Sequence, residues 1–117
     1  MNRLLVCAAV LGLISVIMGA MGDHAFALSP EKAKSLETAI RYNMVYAVLI
    51  VAISLAPKER RLACCGWIFV VGSSFFSFGI YASLITGITQ LTYLTPVGGV
   101  TMMAGWVVLA YRGFFNK

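Results

Sequence analysis

Four stretches of this chain carry no charge over lengths that match the oily interior of a bilayer, and no other feature restricts the fold as much. The first runs from Leu4 to Met21, between Arg3 and Asp23; at about 1.5 Å per helical residue it covers the roughly 30 Å of hydrocarbon. The others run from Tyr42 to Ala56, from Leu62 to Thr86 and from Pro96 to Tyr111. Hydrocarbon offers backbone amides no partner, so each stretch must satisfy its own N–H and C=O groups as a helix. The expectation is an all-α membrane protein, a single transmembrane domain over residues 1–117, with four helices at about 4–21, 30–56, 62–86 and 96–111 in a compact bundle. Composition agrees: 61% of residues are apolar and 11% charged, against about 45–50% and about 25% in an average soluble domain. The bilayer is the solvent, and a bacterial cytoplasmic (inner) membrane is the expected location.

The connections carry the signals that place these helices. Ser29-Pro30-Glu31 reads as a helix start, with a hydroxyl cap, a proline where no donor is needed and a carboxylate at the positive end of the dipole. Glu37 and Arg41 stand four apart in the favourable order, so the first turns of the second helix are amphipathic and interfacial. Pro57-Lys58-Glu59-Arg60-Arg61 is a short basic turn, residues 87–95 a brief uncharged one, and Thr95-Pro96 reads as the cap and first position of the last helix. Arg3 with Ala20-Met21-Gly22 also fits a cleavable signal peptide. The length of the apolar run, and its small residues at helical spacing (Ala8, Gly12, Ser15, Gly19), favour a retained crossing.

Net charge is +5, yet the basic residues sit at the ends of apolar runs and form no stripe interleaved with aromatics, which argues against nucleic acid and for orientation signals. Six fall at the N-terminus, second loop and C-terminus (Arg3, Lys58, Arg60, Arg61, Arg112, Lys117) against three in the first loop (Lys32, Lys34, Arg41). Both termini are therefore expected in the cytoplasm. On that reading Trp67, Trp106 and Tyr111 belong to the inner aromatic belt, and Tyr42, Tyr81 and Tyr93 to the outer one. Cys7, Cys64 and Cys65 are odd in number and lack framework spacing, so they read as reduced packing residues.

Few residues suggest chemistry. Asp23 and His24 end the first helix, where a carboxylate beside an imidazole can relay protons or bind a cation; adjacent helical residues point apart, which favours a structural role at the helix end. Asn43 and Tyr46, three apart on the second helix, can each hydrogen-bond another helix. Asp23, His24, Asn43 and Tyr46 together form the candidate polar site. Gly12, Gly19, Ser73, Ser77, Gly98 and Gly105 are the candidate helix-packing residues, with Thr101 on the face of Gly98 and Gly105. No crossing holds an ionisable centre, and phosphate loops, dinucleotide fingerprints and nucleophile elbows are lacking. No enzymatic activity, cofactor or metal is expected. Association through small-residue faces, in a homo-oligomer or a larger membrane complex, is the first functional expectation. The alternative is an oligomeric transporter or channel for a small solute or ion, with its outer mouth around Asp23 and His24.

Gly19-Ala20-Met21-Gly22-Asp23-His24-Ala25, Thr38-Ala39-Ile40-Arg41-Tyr42, and Leu94-Thr95-Pro96-Val97-Gly98-Gly99 with Ala104-Gly105-Trp106 resemble the domain-of-unknown-function 423 family of small bacterial inner-membrane proteins, over nearly the whole chain. The resemblance implies a four-helix membrane protein with no established biochemical activity. Members of that family often have a histidine in the second crossing after a Tyr-Gln pair. Here Tyr42-Asn43 is followed by Tyr46, which removes the second histidine of any two-histidine site.

Overall fold

A computed structural model describes residues 2–24, 29–55 and 60–115, with the side chains of Asp23, His24, Arg60, Arg61 and Thr89 outside that description. It holds four long helices, α1 (Arg3–His24), α2 (Pro30–Leu55), α3 (Arg60–Thr86) and α4 (Leu94–Phe114), and a 3-10 turn, Thr89–Tyr93. All four helices are long and apolar enough to cross a membrane. The expected turn at Pro57, Lys58 and Glu59 lies outside the described residues, as does Ala56. Arg60 and Arg61 already belong to α3.

The ends of the helices show why they start and stop where they do. Ser29 Oγ accepts from the Lys32 amide at 3.4 Å and the Ser29 carbonyl accepts from the Ala33 amide at 2.9 Å, which is the geometry of an N-cap. Asn2 caps α1 in the same way, its Oδ1 accepting from the Leu5 amide at 3.1 Å. Its Nδ2 also donates to the Ser54 carbonyl at 3.0 Å, fastening the start of α1 to the last turn of α2. α3 stops at Gly87, which has φ +75, a left-handed conformation that glycine adopts without a side-chain penalty.

The start of α4 differs from the sequence expectation. The 3-10 turn runs straight into the helix, so Leu94 is its first residue and Tyr93, with no side-chain cap bond, precedes it. Pro96 therefore stands third, still among the amides that have no intrahelical partner. The Thr95 hydroxyl, freed from capping, donates across to the Phe76 carbonyl of α3 at 3.2 Å.

Helix directions follow from these contacts. Asn2 meets Ser54, and a Cβ on Gly66 would strike Leu4 and Ile53, so the starts of α1 and α3 lie beside the end of α2. Gly72 faces Gly98 and Met102 while Gly105 faces Phe69, so α4 returns antiparallel to α3. Asn2 and the end of α4 thus share one end of the molecule, here the terminal end; the tops of α2 and the 3-10 turn make the distal end.

Among the described residues α1, α2 and α3 pack mutually, whereas α4 makes its backbone contacts with α3 and the 3-10 turn. The larger core joins Leu4, Ala8 and Leu11 of α1 to Tyr46 and Ile50 of α2, Cys65 and Phe69 of α3, and Met102 of α4. A smaller one nearer the distal end joins Met18, Leu36, Ala39 and Tyr81.

Candidate functional site

The polar groups inside this apolar body lie along the seams between helices. On α3, Ser73, Ser77 and Tyr81 repeat every four residues and share one stripe, and all three are buried. Ser77 Oγ donates to the Ala39 carbonyl of α2 at 2.9 Å. One turn on, the Asn43 amide donates from Nδ2 to the Tyr81 hydroxyl at 2.9 Å. Ser73 and Ser15 turn back instead, to the Val70 carbonyl at 3.5 Å and the Gly12 carbonyl at 2.6 Å of their own helices, as hydroxyls in helices commonly do.

Asn43 is 1% exposed, and its Oδ1 has no hydrogen-bond partner among the described residues. Swapping the amide's oxygen and nitrogen would let Tyr81 donate to Oδ1, but would leave the NH2 group orphaned instead. Either way one end of a buried amide has no partner among the described residues, at a level where hydrocarbon can supply nothing.

Tyr46 turns elsewhere. Its hydroxyl accepts from Trp106 Nε1 of α4 at 2.7 Å, and its ring lies 5.4 Å from that of Phe69 and 6.1 Å from that of Trp106. Phe69, fully buried, meets Trp106 edge to face at 5.2 Å. Gly105 makes this possible, since a Cβ there would stand 2.7 Å from Phe69 Cε1. Three helices are thereby locked through three rings.

Of the four residues of the candidate polar site, Asn43 bonds Tyr81 of α3 and Tyr46 bonds Trp106 of α4, while the side chains of Asp23 and His24, in the last turn of α1, lie outside the described residues. Tyr81, expected in the outer aromatic belt, is buried and bonded to Asn43. Its place four residues beyond Ser77 was the available signal. Trp106, assigned to the inner belt, is half-exposed and donates inward.

The helix-packing residues divide as well. Gly98 is wedged against α3, where a Cβ would strike the Phe76 amide nitrogen and stand 2.5 Å from the Gly72 carbonyl oxygen. Gly105 holds Phe69, and Gly12 faces Ala47 at an ordinary 3.8 Å. A Cβ on Gly19 would meet nothing within 4 Å. The glycine face of α4 is therefore used within the chain, and Thr101 bonds its own helix through the Val97 carbonyl at 2.8 Å.

A family described as protein of unknown function DUF423 matches residues 18–99, a stretch that holds Asn43, Tyr46, Tyr81 and the α3–α4 glycine contact. The chain belongs to this family. It is 28% identical to a UPF0382 membrane protein of Haemophilus influenzae, over 99% of this chain and 97% of that one. It is 34% identical to a UPF0382 membrane protein of Schizosaccharomyces pombe, over 87% and 93%, so the family reaches beyond bacteria. The UPF0382 inner membrane protein YgdD of Escherichia coli is 27% identical, over 91% and 85%. No solved structure matches. With four apolar helices long enough to span and relatives named as membrane proteins, the chain is a multi-pass membrane protein.

Proposed function

We propose that this protein works by association in the plane of the membrane, as a self-assembling subunit rather than a catalyst. The observation that carries this is the outward seam of α4. Val97, Val100, Ala104, Val107, Tyr111 and Phe114 follow one another at alternating steps of three and four residues, and all are exposed. That spacing places them on one continuous face of α4, where the small Ala104 lets a facing backbone approach closely. Among the described residues the α4 backbone packs on α3 and the 3-10 turn, with Trp106 reaching α2 through Tyr46, whereas the polar groups of the interior are largely consumed in holding the chain's own helices together. The loops between the crossings are short, so a partner docks within the lipid. In place of Gly98 and Gly105, which face α3, the seam one side over is the self-association face.

Single cysteines at Val100→Cys and Val107→Cys, in a chain otherwise free of cysteine, test this in liposomes. Oxidation is expected to link copies at both positions, and not at Leu13→Cys on the outward face of α1, as protein is diluted in lipid. Monomers at every density, with no link at either α4 position, would refute the reading.

One observation favours a second reading, an oligomeric path for a small solute with its polar site in the distal half. It is the Oδ1 of Asn43, buried and without a partner among the described residues. Liposome flux that falls in both Asn43→Leu and His24→Ala would support it, and flux equal to empty vesicles would remove it.

A further inference from the structure

At the distal end, α2 and α3 line an open groove of about 320 Å³ with Glu31, Lys34, Ser35, Thr38 and Ile80. That size is at the lower limit of small-molecule sites, roughly 300–1,000 Å³. Its walls are ordered from charged to apolar along the membrane normal. Gly22, two residues before the end of α1, packs on Leu36, so the α2 turn carrying Glu31 and Lys34 stands level with or beyond the end of α1. Ile80 lies six residues inside the end of α3, roughly 9 Å deeper at the helical rise, and it packs on the smaller core.

The two charges in the groove have opposite sign and are unpaired among the described residues. Glu37 and Arg41, on another face of α2, pair with each other at 3.0 Å. Glu31 and Lys34 form no ion pair with a described residue, although at a spacing of three they are neighbours on the helix, with Cβ atoms roughly 5–6 Å apart. The Thr38 hydroxyl already donates to the Lys34 carbonyl at 3.1 Å, and the Lys34 ammonium and the Ser35 hydroxyl, beside the Glu31 carboxylate, have no side-chain partner among the described residues.

We propose that this groove binds the headgroup of a zwitterionic phospholipid with a primary amine, phosphatidylethanolamine. Lys34 and Ser35 donate to its phosphate, Glu31 accepts from its ammonium, and an acyl chain descends over Ile80. The two-carbon bridge of ethanolamine sets the two charges a few ångströms apart, as the helix sets Lys34 and Glu31. A primary ammonium donates hydrogen bonds to a carboxylate, which the quaternary ammonium of phosphatidylcholine cannot do. An anionic headgroup would satisfy Lys34 and meet repulsion from Glu31.

Native mass spectrometry of the full chain, released from micelles holding equal phosphatidylethanolamine, phosphatidylcholine and phosphatidylglycerol, reads the retained lipid directly. The expected preference for ethanolamine over choline is roughly two- to fivefold, the range that one exposed ion pair supports. Glu31→Gln should erase that preference while phosphate-dependent binding persists, Lys34→Met should lower retention of both lipids, and Glu37→Gln should change neither. All three side chains are exposed, and circular dichroism checks that each variant keeps its helices. Equal retention of the two zwitterionic lipids, a preference that survives Glu31→Gln, a preference for phosphatidylglycerol, or displacement by inorganic phosphate alone would each overturn the assignment.

Discussion

Gly98 and Gly99 are neighbours in sequence with opposite expected responses to one methyl group. In Gly98→Ala the new Cβ would strike the Phe76 amide nitrogen and lie 2.5 Å from the Gly72 oxygen and 2.9 Å from Phe76 Cα. All three are backbone atoms of α3, so no rotamer change relieves the clash. An ordinary Cβ contact begins at 3.4 Å, so the Gly72 carbonyl must retreat by about 0.9 Å. A gap of that size forfeits about a quarter to a half of each dispersion contact along the seam, and overpacking of this kind costs about 1–3 kcal/mol. The Thr95 to Phe76 bond, worth about 0.6 kcal/mol in a bilayer, stretches with it. In Gly99→Ala the Cβ would sit 3.9 Å from Phe76 Cδ2, an ordinary contact, and the helix gains about 0.8–1.0 kcal/mol of propensity. Gly98→Ala gains the same propensity, so the two variants should differ by the packing cost alone, about 2 kcal/mol. Unfolding in mixed micelles, followed by tryptophan fluorescence at protein concentrations too low for assembly, measures this. Equal stability of the two variants, or loss in Gly98→Ala only at concentrations where the protein assembles, would refute the reasoning and return Gly98 to an intermolecular face.

The other predictions concern the polar seams. Tyr81→Phe should cost about 1–2 kcal/mol by leaving the Asn43 amide wholly unpaired, and the double variant Asn43→Leu with Tyr81→Phe should recover part of that loss, as unfolding free energies in one micelle system would show. Tyr46→Phe should cost about 0.6 kcal/mol and shift Trp106 emission, because the indole loses its acceptor; an unchanged spectrum would contradict the 2.7 Å bond. Asn2→Ala should destabilise more than Ser29→Ala in the same assay, since Asn2 both caps α1 and holds Ser54, whereas the Ser29 cap is long at 3.4 Å and a cap is worth about 0.5–2 kcal/mol.

Most of the architecture was legible because the bilayer reduces a fold to charge-free lengths. The start of α2 was marked by Ser29-Pro30 and the Glu37–Arg41 pair by its spacing, and α3 ends at Thr86, where the uncharged run was placed to end. The start of α4 was misread because Thr-Pro carries the local signature of a cap, while the contact that uses Thr95, with Phe76 nineteen residues earlier, is set by how two helices approach. The same limit applies to the polar residues. Sequence periodicity shows that Asn43 and Tyr46 share a side of α2, but not that one meets Tyr81 and the other Trp106. Tyr81 and Trp106 were placed in interfacial belts by residue type, a rule that ignores an inward hydrogen bond. The glycines of α4 announced close approach correctly; whether to α3 or to another molecule depends on which helix lies alongside.

Four crossings require both ends of the chain to lie on one side of the membrane. Membrane-impermeant thiol labelling of single cysteines in sealed vesicles tests it, with Asn2→Cys, Gly87→Cys and Phe115→Cys placed in a background free of other cysteines. Labelling of positions 2 and 115 from the same side and of 87 from the opposite side is predicted. Positions 2 and 115 on opposite sides, or 87 together with both, would contradict the account.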